Sequence, residues 1–442
     1  MKFSTLTLIA GACAAASLPV VNTTGNAFFN SETGDRFYIR GVDYQPGGSS
    51  NLTDPLANVS ICGRDIPYFQ ELGLNTIRVY SVDNTQDHSE CMQKLADAGI
   101  YLILDLNTPG ASLSRYDPGC SYNAEYLNEV FATVDEFANY TNVLGFFAAN
   151  ELVNNEDTLD TAPYIKAVVR DTKQYLKARS YRQIPVGYSA ADVSSLRKEL
   201  ADYLNCGNDS DARIDMLGVN DYSWCGQSSF TTSGYGQKVQ MYTGFSVPIF
   251  LSEYGCNQVP GARPFTEVEA IYSTEMSPVF SGGLVYEYTE DSSNYGLVQI
   301  ESDGSVDPLK DFDNLQKELN STSDPVGAAG FSTSYVFSDC PTDWNFSITV
   351  PPPPDGLTKL LKDGATAGSG FEAETQEACG NDAYYVSSTV VNNATSTSTS
   401  SSASASASAS STSSKSSKGI AGQLEAHGFT AILALIGGLF FY

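Results

Sequence analysis

Two glutamates stand where a carboxyl group can do chemistry. Glu151 closes the apolar run from Val143 to Ala149 as Asn150-Glu151, so its carboxyl emerges from a hydrophobic wall that disfavours the charged form and raises its pKa. A general acid needs that protonated carboxyl near neutrality. Glu253 follows the run Pro248-Ile-Phe-Leu251 in a Ser-Glu-Tyr-Gly turn, with a tyrosine hydroxyl beside it, and suits a nucleophile. Held about 5 Å apart, such a pair can form and then break a covalent glycosyl intermediate, with Glu151 acting first as acid and then as base and the anomeric configuration retained.

Other chemistries lack their residues. Histidine occurs only at His88 and His427, so a histidine-rich metal site is excluded and a Ser-His-Asp system would rest on His88 alone. Beside Asp87 and Glu90, His88 reads as an exposed residue at a helix start. Nine cysteines are present; Cys13 falls in an N-terminal leader, and the other eight form an even set suited to disulfides rather than to a thiolate nucleophile. Carboxylates remain, and besides the two glutamates they include Asp43, Asp105, Asp221, Glu287 and Glu290, each at the end of an apolar run.

The elements that would position these groups repeat at regular spacing. Strand-like runs begin near Phe37, Asn75, Ile100, Val143, Ile184, Met216, Val247 and Gly282, seven intervals that average 35 residues, enough for a strand and a crossover helix. Helical stretches are expected at 65–72, 89–98, 124–140, 163–178, 235–243 and 266–276. Eight such units predict an α/β fold, a (β/α)₈ TIM barrel over 20–320 with its active site at the C-terminal ends of the strands. A doubly wound sheet is the competing arrangement, but no glycine-rich phosphate loop follows the first strand.

The flanks have another character. Residues 1–16 read as a secretory leader, with Lys2, an apolar run and Ala14-Ala15-Ala16. Segment 321–385, with Cys340, Cys379 and the stiff Pro351 to Pro354 run, is expected as an appendage packed on the barrel; 386–418 is a disordered Ser/Thr/Ala-rich stalk. Residues 419–442 end in a 14-residue run without charge, Phe429 to Tyr442, too short for a comfortable membrane span. With a polar spacer and the small residues Ser416, Ser417 and Gly419 before it, this is the layout of a GPI-attachment signal. Eight Asn-x-Ser/Thr sequons, at Asn22, Asn51, Asn58, Asn139, Asn208, Asn320, Asn345 and Asn393, agree with secretion. The 442-residue chain carries 51 Asp and Glu against 24 Lys and Arg, a net charge of −27, which argues against nucleic acid as a partner.

Longer strings sharpen the reading: Arg40-Gly-Val-Asp-Tyr-Gln45-Pro, Asn75-Thr-Ile-Arg78-Val-Tyr80, Leu104-Asp105-Leu-Asn107-Thr-Pro, Ala149-Asn150-Glu151, Asn220-Asp-Tyr222-Ser-Trp-Cys225-Gly and Leu251-Ser-Glu253-Tyr-Gly-Cys256. Together they resemble the fungal GPI-anchored β-1,3-glucanosyltransferases of glycoside hydrolase family 72, in the form without the Cys-rich carbohydrate-binding module. The resemblance implies an acid/base role for Glu151, a nucleophile role for Glu253, and an Asn150 hydrogen bond to the donor sugar's 2-hydroxyl. It also implies sugar contacts for Tyr80, Tyr286, the Asn107 to Arg115 loop, Asp192 and Arg197, with Gln45, Asp105 and Tyr222 in or behind the site. β-1,3-Glucan would be both donor and acceptor, without metal or cofactor, for a monomer anchored at the outer face of the plasma membrane. Whether water or a sugar hydroxyl completes the reaction is not decided by the residues alone; transfer rests on the resemblance. Barrel geometry pairs Cys62 with Cys91 and Cys225 with Cys256 over the active-site face, and a Cys206 to Cys340 link would tie the appendage down.

Overall fold

A computed structural model describes residues 17–48, 51–342, 344 and 347–375. The expected leader, stalk and attachment signal, together with Cys379, lie outside the described residues. A small antiparallel sheet comes first, β1 (Val21–Thr24), β2 (Ala27–Asn30) and β3 (Arg36–Phe37). Eight parallel strands then close a barrel: β4 (Ile39–Asp43), β5 (Thr76–Val79), β6 (Tyr101–Asp105), β7 (Val143–Asn150), β8 (Val186–Ala191), β9 (Leu217–Asp221), β10 (Ile249–Tyr254) and β11 (Phe280–Val285), with β11 pairing back to β4. All eight expected strands are present; the run starting at Phe37 proves to be the end of β3 followed by β4.

Around the barrel lie α1 (Val59–Glu71), α2 (Ser89–Asp97), α3 (Pro118–Ser121), α4 (Ala124–Phe137), α5 (Ala162–Ala178), α6 (Arg197–Leu204), α7 (Tyr235–Tyr242) and α8 (Glu267–Ile271). Helix α1 starts earlier than the apolar spacing predicts because the Asn58 side chain accepts from Ser60 N and Ile61 N at 3.0 and 3.3 Å. Helices α3 and α6 are additions to the expected set. Among the described residues no helix is long and apolar enough to cross a membrane.

Phe28 of the small sheet packs edge-on against Phe250 at 5.9 Å, and Phe147 stacks on Phe250 at 5.8 Å, so the floor of the barrel is a filled apolar layer. Gly145 and Gly187 make room there for Met216, whose side chain would lie 2.6 and 2.5 Å from a Cβ at those positions. A closed floor leaves the C-terminal strand ends as the only barrel mouth among the described residues.

Beyond the barrel, α9 (Lys310–Ser321) and α10 (Leu357–Asp363) follow, and α10 buries Leu357 and Leu360 in the same apolar core as α4 and α5. Cys206–Cys340 staples the intervening segment, while Cys62–Cys91 and Cys225–Cys256 form as expected; Cys120 is disulfide-bonded as well.

His88 corrects the reading from sequence. Its ring is fully buried, with Nε2 2.8 Å from Asp54 and Nδ1 3.0 Å from Glu136, because the start of α2 is pressed between the loop after β4 and the end of α4. Burial opposes its charge, but the two carboxylates prevail and push its pKa up from 6.5 to about 9. A folded-state pKa above the unfolded one gives a stabilisation that is complete below about pH 6.5 and lost as pH rises through about 9, on the order of 3 kcal/mol. Denaturant melts across that window should show a slope in the parent protein that His88→Gln lacks; equal slopes would refute the assignment.

Candidate active site

Both glutamates reach the mouth through irregular backbone. In β10 the register against β9 slips by one residue between Leu251 and Glu253, and in β7 the register against β8 slips between Phe147 and Asn150. Such a bulge turns the following side chain out of the strand's alternation and aims it at the mouth. Glu151 itself has a left-handed backbone, φ +47°, costly for a residue with a Cβ. Its N–H donates to Ser189 O at 2.8 Å, and its carbonyl accepts from Arg115 Nη2 at 2.8 Å.

The two carboxyls differ in their donors. Glu253 is buried and accepts from Tyr222 OH at 2.6 Å, Tyr80 OH at 2.8 Å and Arg78 Nη1 at 3.3 Å. Glu151 accepts one side-chain bond, from Asn220 Nδ2 at 2.8 Å. Burial raises the pKa of both. The Glu151 charge adds to the rise at Glu253, taking it to about 7 against the pull of Arg78 and the tyrosines. Two carboxyls that repel each other in a buried site share one proton, and three donors on Glu253 favour its ionised form, so the shared proton belongs on Glu151. Burial also raises the pKa of Tyr80 and Tyr222, which keeps both hydroxyls protonated as donors.

Arg78 is the hub of the site. Fully buried on β5, it forms a bidentate pair with Asp105, both bonds 2.9 Å, and donates to Asn150 Oδ1 at 3.0 Å and to Ser252 O at 3.3 Å. Its guanidinium lies over the rings of Tyr80 and Phe147 at 4.2 and 4.9 Å. Asp43 sits 3.9 Å from it, with both carboxylate oxygens buried and without a hydrogen-bond partner among the described residues; burial pushes its pKa up. Glu287 is raised to about 9 by burial and by the charges of Asp291 and Glu253, so it is neutral at neutral pH.

Asn150 is held by its oxygen, which also accepts from Asn220 Nδ2 at 3.1 Å, while its own Nδ2 is buried without a protein partner among the described residues. That leaves Asn150 with an unspent donor beside Arg78. Tyr286 meets Tyr80, Tyr222 and Tyr295 edge to face at 6.4, 6.3 and 5.3 Å, and these rings wall the Glu253 side of the mouth.

The remaining expected positions give no hydrogen bond to either carboxyl; some brace the centre and some lie apart from it. Gln45 spends its amide on the backbone, accepting from Tyr80 N and Ser81 N at 3.1 and 2.9 Å and donating to Thr53 O at 2.8 Å. Asn107 donates to Ala148 O and accepts from Tyr126 OH, both at 2.7 Å, and so braces β7. Arg115 holds the carbonyls of Glu151 and Leu152. Asp192 and Arg197 pair at 2.7 Å beside Lys238, which also binds Asp192 at 2.8 Å and Asp221, as a separate ionic cluster between β8 and β9. Arg78 and Asn220 carried no role in the sequence reading. The available signal was a lone charge on the inward side of Thr-Ile-Arg-Val and an amide on the inward side of Gly-Val-Asn-Asp.

Comparison with known proteins places this geometry. The family 72 glucanosyltransferase model matches residues 10–323. The 1,3-beta-glucanosyltransferase GAS5 of Saccharomyces cerevisiae is 60% identical over 367 residues, 82% of this chain and 76% of that protein. PGA4 of Candida albicans, of the same description, is 54% identical over 434 residues, 96% of each chain. Saccharomyces cerevisiae Gas2 in complex with laminaritetraose and laminaripentaose superposes with a TM-score of 0.71 at 39% identity, over 76% of this chain and 75% of that one. A family match that spans the whole barrel, and relatives this similar over 82% and 96% of the chain, lead to one conclusion: the chain belongs to glycoside hydrolase family 72.

Proposed function

We propose that this chain is a retaining β-1,3-glucanosyltransferase; the unequal donor set of the two carboxyls carries the assignment of acid and nucleophile, and the family membership supports transfer. Glu253, ionised, attacks the anomeric carbon of a bound β-1,3-glucan while Glu151 gives its proton to the glycosidic oxygen, releasing the fragment on the reducing side. Asn150 Nδ2 donates to the 2-hydroxyl as charge builds on the ring. Glu151, now ionised, then takes the proton of the 3-hydroxyl at the non-reducing end of a second chain. That oxygen displaces Glu253 and forms a new β-1,3 bond. The names of the relatives and the laminari-oligosaccharides in the Gas2 complex support β-1,3-glucan as donor and acceptor.

The proposed location is the outer face of the plasma membrane. It rests on the leader, the stalk and the attachment signal read from sequence, as does a GPI anchor as the link to lipid.

Incubating the purified protein with a linear β-1,3-gluco-oligosaccharide of about ten units tests the activity, with products sized by mass spectrometry. Products longer than the starting sugar, with matching short fragments, are expected. Shorter products alone would make the enzyme a hydrolase.

A pair that shares one proton also sets the pH profile. Activity should peak at acidic pH and fall as pH rises through about 7, where the pair loses its remaining proton. Tyr222→Phe removes a donor to ionised Glu253, so its pKa rises and the acidic limb should move to higher pH. A maximum above pH 8, or an acidic limb indifferent to Tyr222, would contradict the assigned roles.

A further inference from the structure

The chain after α10 returns to the barrel mouth. Ala365 N donates to Tyr175 OH of α5 at 2.8 Å and Thr366 N to Asn128 Oδ1 of α4 at 2.9 Å. Ser369 N then donates to Glu129 Oε2 at 2.8 Å, and Gly370 N to Asn84 Oδ1, in the loop after β5, at 3.1 Å. Finally Thr375 N donates to Gly110 O at 3.0 Å. The fit at that point is close: a Cβ on Gly110 would stand 1.8 Å from the Ala373 carbonyl oxygen, and Ala373 is buried.

Gly110 lies mid-way along the loop after β6. At one end Asn107 is bonded to β7, and at the other Arg115 holds the carbonyls of Glu151 and Leu152. Between them, Thr108 and Ala111 bond each other's backbone at 3.1 and 3.2 Å, and the described contact on the outside of that turn is segment 365–375. Glu151 has a left-handed backbone that persists only where its surroundings hold it, and Arg115 is one of the two groups that do so.

We propose that residues 365–375 are a positioning strap for the catalytic acid: by clamping Gly110 they fix the loop that carries Arg115, and through Arg115 the backbone of Glu151. The appendage is then a working part of the active site, with Gly110, Ala373 and Thr375 as positioning residues. This rests on the reading of Glu151 as the acid.

Full-chain variants test it. Gly110→Val should lower kcat about 10-fold with KM for the oligosaccharide changed less than about 2-fold, because the acid is misplaced while the sugar-binding wall is untouched. Burial is the largest influence on Glu151 and outweighs Asn220 and the charges of Arg115 and Arg78. The basic limb of the pH profile should therefore move to lower pH as Glu151 becomes better solvated, although displacing the Arg115 charge acts the other way. The pair Asn84→Ala with Glu129→Ala frees the strap without adding volume to the loop, and should act in the same direction; it serves if Gly110→Val does not fold. In a double-mutant cycle, Gly110→Val added to Arg115→Met should cost little beyond Arg115→Met alone. Folded strap variants with the parent kcat and pH profile, or losses that multiply in the cycle, would overturn the proposal. Glu151→Gln separates the two levels. If that variant stays active, the assignment of the acid is wrong; if it is inactive while the strap variants behave as the parent, the strap alone is refuted.

Discussion

Replacing Glu253 with glutamine is expected to lower glucan transfer by roughly four orders of magnitude, since it removes the group that must bond to the anomeric carbon. The substitution is nearly isosteric, and the donors around it, Tyr222, Tyr80 and Arg78, stay in place. Oligosaccharide binding, measured by calorimetry, should therefore change only a few-fold. Mass spectrometry of peptides from an acid-quenched reaction of the parent enzyme should find the sugar on the peptide containing Glu253. A Glu253→Gln protein that keeps a tenth or more of the parent rate, or a covalent sugar found elsewhere, would end this assignment.

The second large effect belongs to Arg78. With this side chain fully buried, Arg78→Met would leave Asp105, Asp43 and Glu253 in the barrel without their shared counter-charge. Breaking one side of a buried ionic cluster typically costs about 3–5 kcal/mol, so the melting temperature should fall by roughly 10 °C. Without the guanidinium Glu253 binds a proton more readily, and activity should fall by more than about 100-fold even in the folded fraction. Arg78→Lys should rescue little, since an ammonium cannot make the two parallel bonds to Asp105 while reaching Asn150. Unfolding curves and rates at one pH decide this; a variant as stable as the parent would mean that the cluster is held by other groups.

Much of this centre was readable from sequence because its chemistry sits at the ends of apolar runs. A barrel strand is buried on both faces, so the runs before Glu151 and Glu253 stand out, and the polar pair that ends each, Asn150-Glu151 and Ser252-Glu253, brings a glutamate to the mouth. Cysteine positions in the segments after neighbouring strands likewise sufficed for Cys62–Cys91 and Cys225–Cys256, although Cys62 and Cys91 lie on α1 and α2 rather than in loops. The small N-terminal sheet was not legible, since four-residue strands such as Val21–Thr24 carry too few positions to show a period. His88 was misread because the groups that bury it, Asp54 and Glu136, lie 34 and 48 residues away.

By itself, then, the sequence determined which residue types reach the mouth: two glutamates, an asparagine and a set of tyrosines, on strands whose order follows from the right-handed βα repeat. It did not determine how a proton is divided between the two glutamates. That depends on donors from β5, from β9 and just beyond it, on a bulge that turns Glu253 out of β10, and on a left-handed Glu151 held by Ser189 and Arg115. Only the closed barrel brings these groups within 3 Å or so of one another, because hydrogen bonds and buried charges act over contact distances and have no periodic trace along the chain.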